Sequence, residues 1–311
     1  MRAYSGRTGT EEKKVAMQTG YFSAAWRDVR NSSGWLAKVA VLALVGLVPV
    51  FGQIVAYGYL FGWARDIAWG VHAPLPSRIF GNEDGALYRR GFFAFVIALV
   101  CSLVPWALGM VWGVLTGIGA FWSARGGFAV ALGPTMLMLW LLFAAAVVLS
   151  LLFFWVGTMR MSIYGRLAPG FQLGRIWAMM RHDFGGLLRI LGMAAFLTVA
   201  TGVVVWAATL AITLAGALVG VVIGTPMVST NNPVVLLATV PGLVALVTAL
   251  VVLCAAFSTA AWAFATALIA RALGYWTRQF DVPSWCGQDD PMPFEMAGGP
   301  RPTQVPPSKR G

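Results

Sequence analysis

Five uninterrupted apolar runs dominate this chain: Val39 to Ala64, Phe92 to Phe121, Phe128 to Gly157, Ile190 to Gly224 and Val234 to Ala270. None of them contains a Lys, Arg, Asp, Glu or His. A helix needs about 20 apolar residues, at 1.5 Å each, to cross the hydrocarbon core of a bilayer, so each run is long enough to cross once and none is comfortably long enough to cross twice. A buried helix of a soluble protein keeps a polar stripe at 3.6-residue spacing. These runs lack one, which argues against a soluble helical bundle and predicts an all-α integral membrane protein. A composition of 59% apolar and 11% charged residues agrees.

Lys and Arg give the runs a direction. Seven precede Val39, four lie from Arg65 to Arg90, Arg125 stands alone, five lie from Arg160 to Arg189, none from Thr225 to Pro233, and five follow Ala270. If the last four runs each cross once, the segments from Arg65, from Arg160 and after Ala270 share one side, which the positive-inside rule makes cytoplasmic. A single crossing by Val39 to Ala64 would then put the N-terminal segment, the richest of all in positive charge, outside. Pro49, Gly52 and Gln53 stand near the middle of that run and leave halves of about 11 residues, each too short to span. The expected architecture is therefore four full transmembrane helices plus a broken or re-entrant first segment, with both termini cytoplasmic. The alternative is a kinked single span with an external N-terminus, since membrane helices tolerate proline. Because 38 mostly polar residues precede the first run, no cleavable signal peptide is expected.

Two stretches share a pattern. Trp26, Arg30, Gly34, Leu36 and Lys38 correspond without a gap to Trp177, Arg181, Gly185, Leu187 and Arg189, 151 residues later. Both are amphipathic: Tyr21, Phe22, Ala25, Trp26 and Val29 share one helical face, and Leu173, Ile176, Trp177, Met180 and Phe184 share another. Each reads as a helix lying in the cytoplasmic interface, aromatic residues toward the acyl boundary and arginines at the headgroups. Duplication would make residues 21–158 and 171–275 a parallel repeat; shared demands on any interfacial helix that leads into a span would give the same match.

Glycines spaced by four, Gly109, Gly113 and Gly117 in one run and Gly216, Gly220 and Gly224 in another, form faces on which a second helix can approach closely. That helix belongs either to a second copy, making a homo-oligomer, or to the same chain. Pro105, Pro134 and Pro241 sit inside other runs as expected kinks.

The residues that carry chemistry are missing. Ionisable groups inside spans mark proton relays and ion coupling, and these spans have none. His72 and His182 stand outside any metal or catalytic motif, there is no GxSxG or Walker loop, and Cys101, Cys254 and Cys286 form no CxxC pair. No catalytic, cofactor or metal site is expected, and Ser102, Ser150 and Ser258 are expected to bond their own helix backbone. The net charge of +11 sits beside membrane runs rather than in a nucleic-acid motif, so anionic lipid headgroups are the expected partner. The candidates for that contact are Arg30, Arg65, Arg160, Arg166, Arg175, Arg181 and Arg189; the same residues also serve simply to set topology. Residues 1–14 are expected to be a disordered basic N-terminus, 15–280 the membrane domain, and 281–311 a proline-rich disordered cytoplasmic tail.

The stretch Gly58-Tyr59-x5-Arg65-Asp66-x3-Gly70-x3-Pro74-Leu75-Pro76, running on to Gly91, resembles the signature of an uncharacterised prokaryotic family of polytopic membrane proteins, known only as a domain of unknown function. The likeness in layout covers about Tyr21 to Tyr275. The chain is more loosely similar to the membrane domain attached to some glycerophosphodiester phosphodiesterases, without their hydrolase part. The resemblance implies a prokaryotic cell membrane and no catalytic residue. Physically, Gly70 and the Pro-Leu-Pro should end a short interfacial helix bearing Arg65 and Asp66 and hold the following chain extended. The function expected is noncatalytic, as scaffold, assembly partner or lipid organiser; the alternative is a permease or exporter for a lipid or other amphiphile.

Overall fold

The computed structural model describes residues 20–80, 85–123, 133–229 and 233–285. Among them every regular element is helical: α1 over 20–30, α2 Trp35–Gly46, α3 Phe51–Ala68, α4 Leu87–Ser123, α5 Gly133–Tyr164, α6 Leu173–His182, α7 Phe184–Ser229 and α8 Pro233–Arg278, with 3-10 turns at Ala168–Phe171 and Val282–Ser284. The helices stop where the backbone requires it. Gly165 (φ 66°), just past α5, and Gly34 (φ 64°), which precedes the first residue of α2, take the left-handed conformation that side chains disfavour, and Pro49 sits in the break between α2 and α3. After α3, the Gly70 amide donates to Ile67 O at 2.9 Å and the Val71 amide to Asp66 O at 2.8 Å. With Gly70 at φ 83°, this is a Schellman cap, the stop that the glycine predicted.

Four helices are long and apolar enough to cross a membrane, over Leu87–Ile118, Leu137–Tyr164, Phe184–Leu214 and Val244–Arg278. Their apolar side chains, such as Leu103, Trp106, Met110 and Val114 of α4, stand exposed over a wide arc, as on helices that face a bilayer. The chain is a multi-pass membrane protein. One expectation about proline needs adjusting. Pro134 lies in the first turn of α5, where its missing N–H costs nothing, rather than at a kink. Pro105 and Pro241 lie inside α4 and α8, which continue through them.

The chain divides into two compact units. The first takes its described residues from Met1–Ala56, Ala73–Phe80 and Arg189–Ala272. In it Ala24, Ala25 and Val29 of α1, Val39, Leu42 and Ala43 of α2, Ile190 and Leu197 of α7, and Ala263 and Leu268 of α8 are buried. Phe264 of α8 meets Trp26 edge-on at 5.6 Å and Trp35 at 5.8 Å.

The second unit takes its described residues from Tyr57–His72, Gly81–Leu188 and Leu273–Gly311. The later part of α3 is its centre: Tyr59, Leu60, Phe61, Trp63, Ala64 and Ile67 are all buried. The short helix expected before Gly70 is thus the end of an 18-residue helix packed inside this unit. Gly58 lies so close to the start of α4 that an added Cβ would overlap Leu87 O, and Gly274 of α8 lies equally close to Ile67. Ser162 of α5 donates to Phe61 O at 3.0 Å. Each neighbour here stands just beyond the end of its own apolar run, on the helical extension outside it, and α3 fills the space among these extensions.

The chain past α8 is also packed. Phe280, Val282 and Trp285 are buried, and the Trp285 indole N–H donates to Phe280 O at 3.0 Å. The expected disordered tail therefore does not begin at 281, because these three apolar side chains find a core to join. Residues 286–311, like residues 1–14, lie outside the described residues.

Candidate functional site

The exposed surface that best fits a partner is α6, in the second unit. Its amphipathic face is shared between two environments. Ile176, Met179 and Met180 are buried in the protein, whereas Leu173 and Trp177, with Phe184 at the start of α7, face outward, Trp177 being 49% exposed. Leu173, Trp177 and Arg181 follow one another at four-residue spacing and so form a single outer row, apolar to cationic. Arg181 and His182 occupy the last turn, where the helix dipole favours positive charge. Asp183 ends α6 and caps the next helix: its Oδ1 accepts from the Gly186 amide at 2.9 Å, and its Oδ2 accepts from Gln279 Nε2 at 2.7 Å. The Trp276 indole N–H donates to Asp183 O at 3.3 Å. The helix is thus fixed at its end by contacts to residues beyond the fifth and last apolar run.

Beneath α6 lies Arg160, which departs from its expected role at the headgroups. It is 0% exposed. Its Nη2 donates to Gln172 Oε1 at 2.7 Å and its Nε to Pro169 O at 3.3 Å. The guanidinium also lies over the Tyr164 ring at 5.5 Å and the Trp285 ring at 5.7 Å. A guanidinium of planar, weakly hydrated charge tolerates such a site better than an ammonium would. Arg160 joins α5, the 3-10 turn and the segment after α8; it is an internal tie rather than a lipid contact.

The remaining candidates divide. Arg166 and Arg181 are exposed and Arg175 half-buried, all in the second unit; Arg30 and Arg189 are exposed in the first. Arg65 is half-buried and pairs with Asp66 at 3.2 Å. Two arginines that the sequence reading left out as sites are buried: Arg90 donates to Gly58 O at 3.3 Å, and Arg271 pairs with Asp28 at 2.7 Å. Like Arg160, both lie just outside an apolar run. Nothing in a sequence separates such an arginine from one at a headgroup, because the positive-inside rule predicts both. Asp183 was legible as a cap, standing directly before an apolar helix.

Of the packing glycines, Gly109 faces Phe143 of α5 and Gly216 faces Leu250 of α8, within one chain. Gly113 and Gly117 have open space where a Cβ would stand, and the surroundings of Gly220 and Gly224 lie outside what is described. His72 Nε2 is 3.0 Å from Arg278 Nη1, and His182 meets the Phe280 ring at 5.6 Å. Ser102 and Ser258 bond the backbone of their own helices, to Leu99 O and Cys254 O.

A family described as "Protein of unknown function (DUF4013)" has a model that matches residues 41–210, more than half of the 311-residue chain. The match includes the Gly58 to Pro76 signature and supports the uncharacterised family, not the looser likeness to the phosphodiesterase membrane domain. No curated protein and no solved structure matches.

Proposed function

The chain belongs to the DUF4013 family of unknown function, and on that premise we propose that it is a noncatalytic membrane protein that organises anionic lipid on the cytoplasmic side of a prokaryotic cell membrane. The observation that carries this reading is the outer row of α6, with Leu173 and Trp177 exposed and Arg181 beside them on a helix whose other face is packed into the protein. A tryptophan at such a position prefers the acyl–headgroup boundary, and arginines one turn away meet phosphate oxygens in bidentate geometry. Each basic residue near an anionic surface contributes about 1 kcal/mol. The cytoplasmic orientation rests on the distribution of Lys and Arg among the segments between runs.

The test is lipid selectivity in nanodiscs that mix phosphatidylglycerol and phosphatidylcholine. Spin-labelled lipids of each class report which of them the protein immobilises. We expect the intact chain to enrich phosphatidylglycerol, and the double variant R175Q/R181Q to lose most of that preference while remaining folded. Equal immobilisation of both lipids by the intact chain would end this reading.

A further inference from the structure

We propose that the segment Trp35–Ala68 does not cross the membrane but enters and leaves it on one side, as a hairpin whose apolar tip has the acyl chains of a single leaflet as its partner. The inference rests on four crossings by α4, α5, α7 and α8, and concerns a part of the chain that the lipid-organising reading does not use.

The first ground is parity. Arg271, at the far end of the last apolar run, is 1% exposed and holds Asp28 of α1 at 2.7 Å. Two side chains in contact lie on the same side of a bilayer, so the chain between them crosses an even number of times. The four long helices supply four crossings. A kinked single span by the first run would make five.

The second ground is independent of that count. The segments just before α2 and just after α3 are tied to each other. The Leu75 amide donates to Ser32 Oγ at 2.8 Å, Lys38 Nζ donates to Leu75 O at 2.7 Å, and Arg271 Nη2 donates to Ala73 O at 3.3 Å. Leu75 itself is buried. The Pro-Leu-Pro of the signature thus presents both backbone groups of Leu75 to Ser32 just before α2 and Lys38 in its first turn. That closes the mouth of the hairpin.

The tip has the geometry of a reversal and the depth of half a bilayer. Val50, β-branched, is held at φ 63° directly after Pro49, and the Phe51 amide donates to Pro49 O at 2.7 Å across it. Gly52 abuts the end of α2 so closely that a Cβ would overlap Val45 O. Gly46, at the end of α2, lies opposite Thr259 of α8, its added Cβ 3.9 Å from the Thr259 Cβ. Twelve residues of α8 separate Thr259 from Arg271 at the mouth. At 1.5 Å per residue they measure about 18 Å, against a hydrocarbon core of about 30 Å. The tip therefore reaches the middle and stops. Leu44, Leu47, Val48, Val50 and Phe51 are exposed around it, and a surface this apolar at that depth is matched by lipid.

Single cysteines replacing Ser23, Ser77, Ser123 or Val48 in the full chain, freed of Cys101, Cys254 and Cys286, test it. Each is probed in intact and then permeabilised cells with an impermeant maleimide. Val48→Cys also carries an environment-sensitive dye in liposomes whose lipids bear nitroxides at graded depths. We expect Ser23→Cys and Ser77→Cys to share one side, Ser123→Cys to take the other, and the dye to be quenched most strongly by nitroxides near the chain ends. Ser23→Cys and Ser77→Cys on opposite sides would overturn the hairpin. A dye at position 48 that no lipid nitroxide quenches would overturn the lipid partner and point to a second copy covering the tip. If Ser123→Cys instead shares the side of Ser77→Cys, the four-crossing premise is what fails, and the hairpin with it.

Discussion

At Gly58 a side chain has nowhere to go, because the atoms an added Cβ would strike are the backbone carbonyl and carbon of Leu87, which no rotamer change can move. At Gly113, one of the glycines spaced by four, the same Cβ would meet nothing within 4 Å. The two positions therefore answer alanine differently. Gly58→Ala should lower stability by about 1–3 kcal/mol, as overpacking of a tight core does. Gly113→Ala should leave it unchanged or raise it by up to about 1 kcal/mol, through helix propensity alone. Thermal unfolding in detergent, followed by tryptophan fluorescence, measures both. If Gly113→Ala instead destabilises, or splits a dimer seen by light scattering, the open face is a contact between copies.

At the scale of elements, the helices continue beyond the apolar runs that announce them. α5 runs on to Tyr164 and α8 to Arg278, while α4 begins at Leu87 and α7 at Phe184. Protein covers most of the extensions of α5 and α8, while those of α4 and α7 keep Tyr88, Phe184 and Leu188 exposed, and the short segment after α8 belongs to the same core. Trp285 stacks on Tyr164 at 5.8 Å with an interplanar angle of 26° and is 3% exposed. Trp285→Ala should thus cost about 3–5 kcal/mol, the range for truncating a buried aromatic residue. Trp177→Ala, on the outer row of α6, should cost far less in the same unfolding measurement and act on lipid preference instead. Equal effects on stability would mean that Trp177 is covered by protein.

For the molecule as a whole, the Asp28–Arg271 pair joins residues 243 positions apart. Removing one partner of a buried pair leaves an uncompensated charge, a loss of about 3–5 kcal/mol. Asp28 keeps some contact with solvent, so Asp28→Arg and Arg271→Asp should each fall toward the lower end of that range. The double charge swap should recover at least half, read as the unfolding midpoint of reconstituted protein. A swap no better than the worse single variant would show that the geometry around Ala73, rather than the charge pair, fixes Arg271.

The sequence by itself determined the membrane class, the four helices long and apolar enough to cross, the break at Pro49, the stop at Gly70 and the amphipathic character of α1 and α6. These follow from local properties: the length of an apolar run, the backbone limits of proline and glycine, and the 3.6-residue period of a helix. Only the tertiary structure decided which arginines are internal and which face outward, that the later half of α3 is the centre of a core, and that Ser32, Lys38 and Arg271 bond the backbone of Ala73 and Leu75. Arg160 and Arg181 flank membrane runs alike in the sequence, yet one is fully buried and the other exposed. Their difference depends on partners brought from distant parts of the chain, such as Trp285 for Arg160 and Asp28 for Arg271, and no local pattern encodes such a meeting.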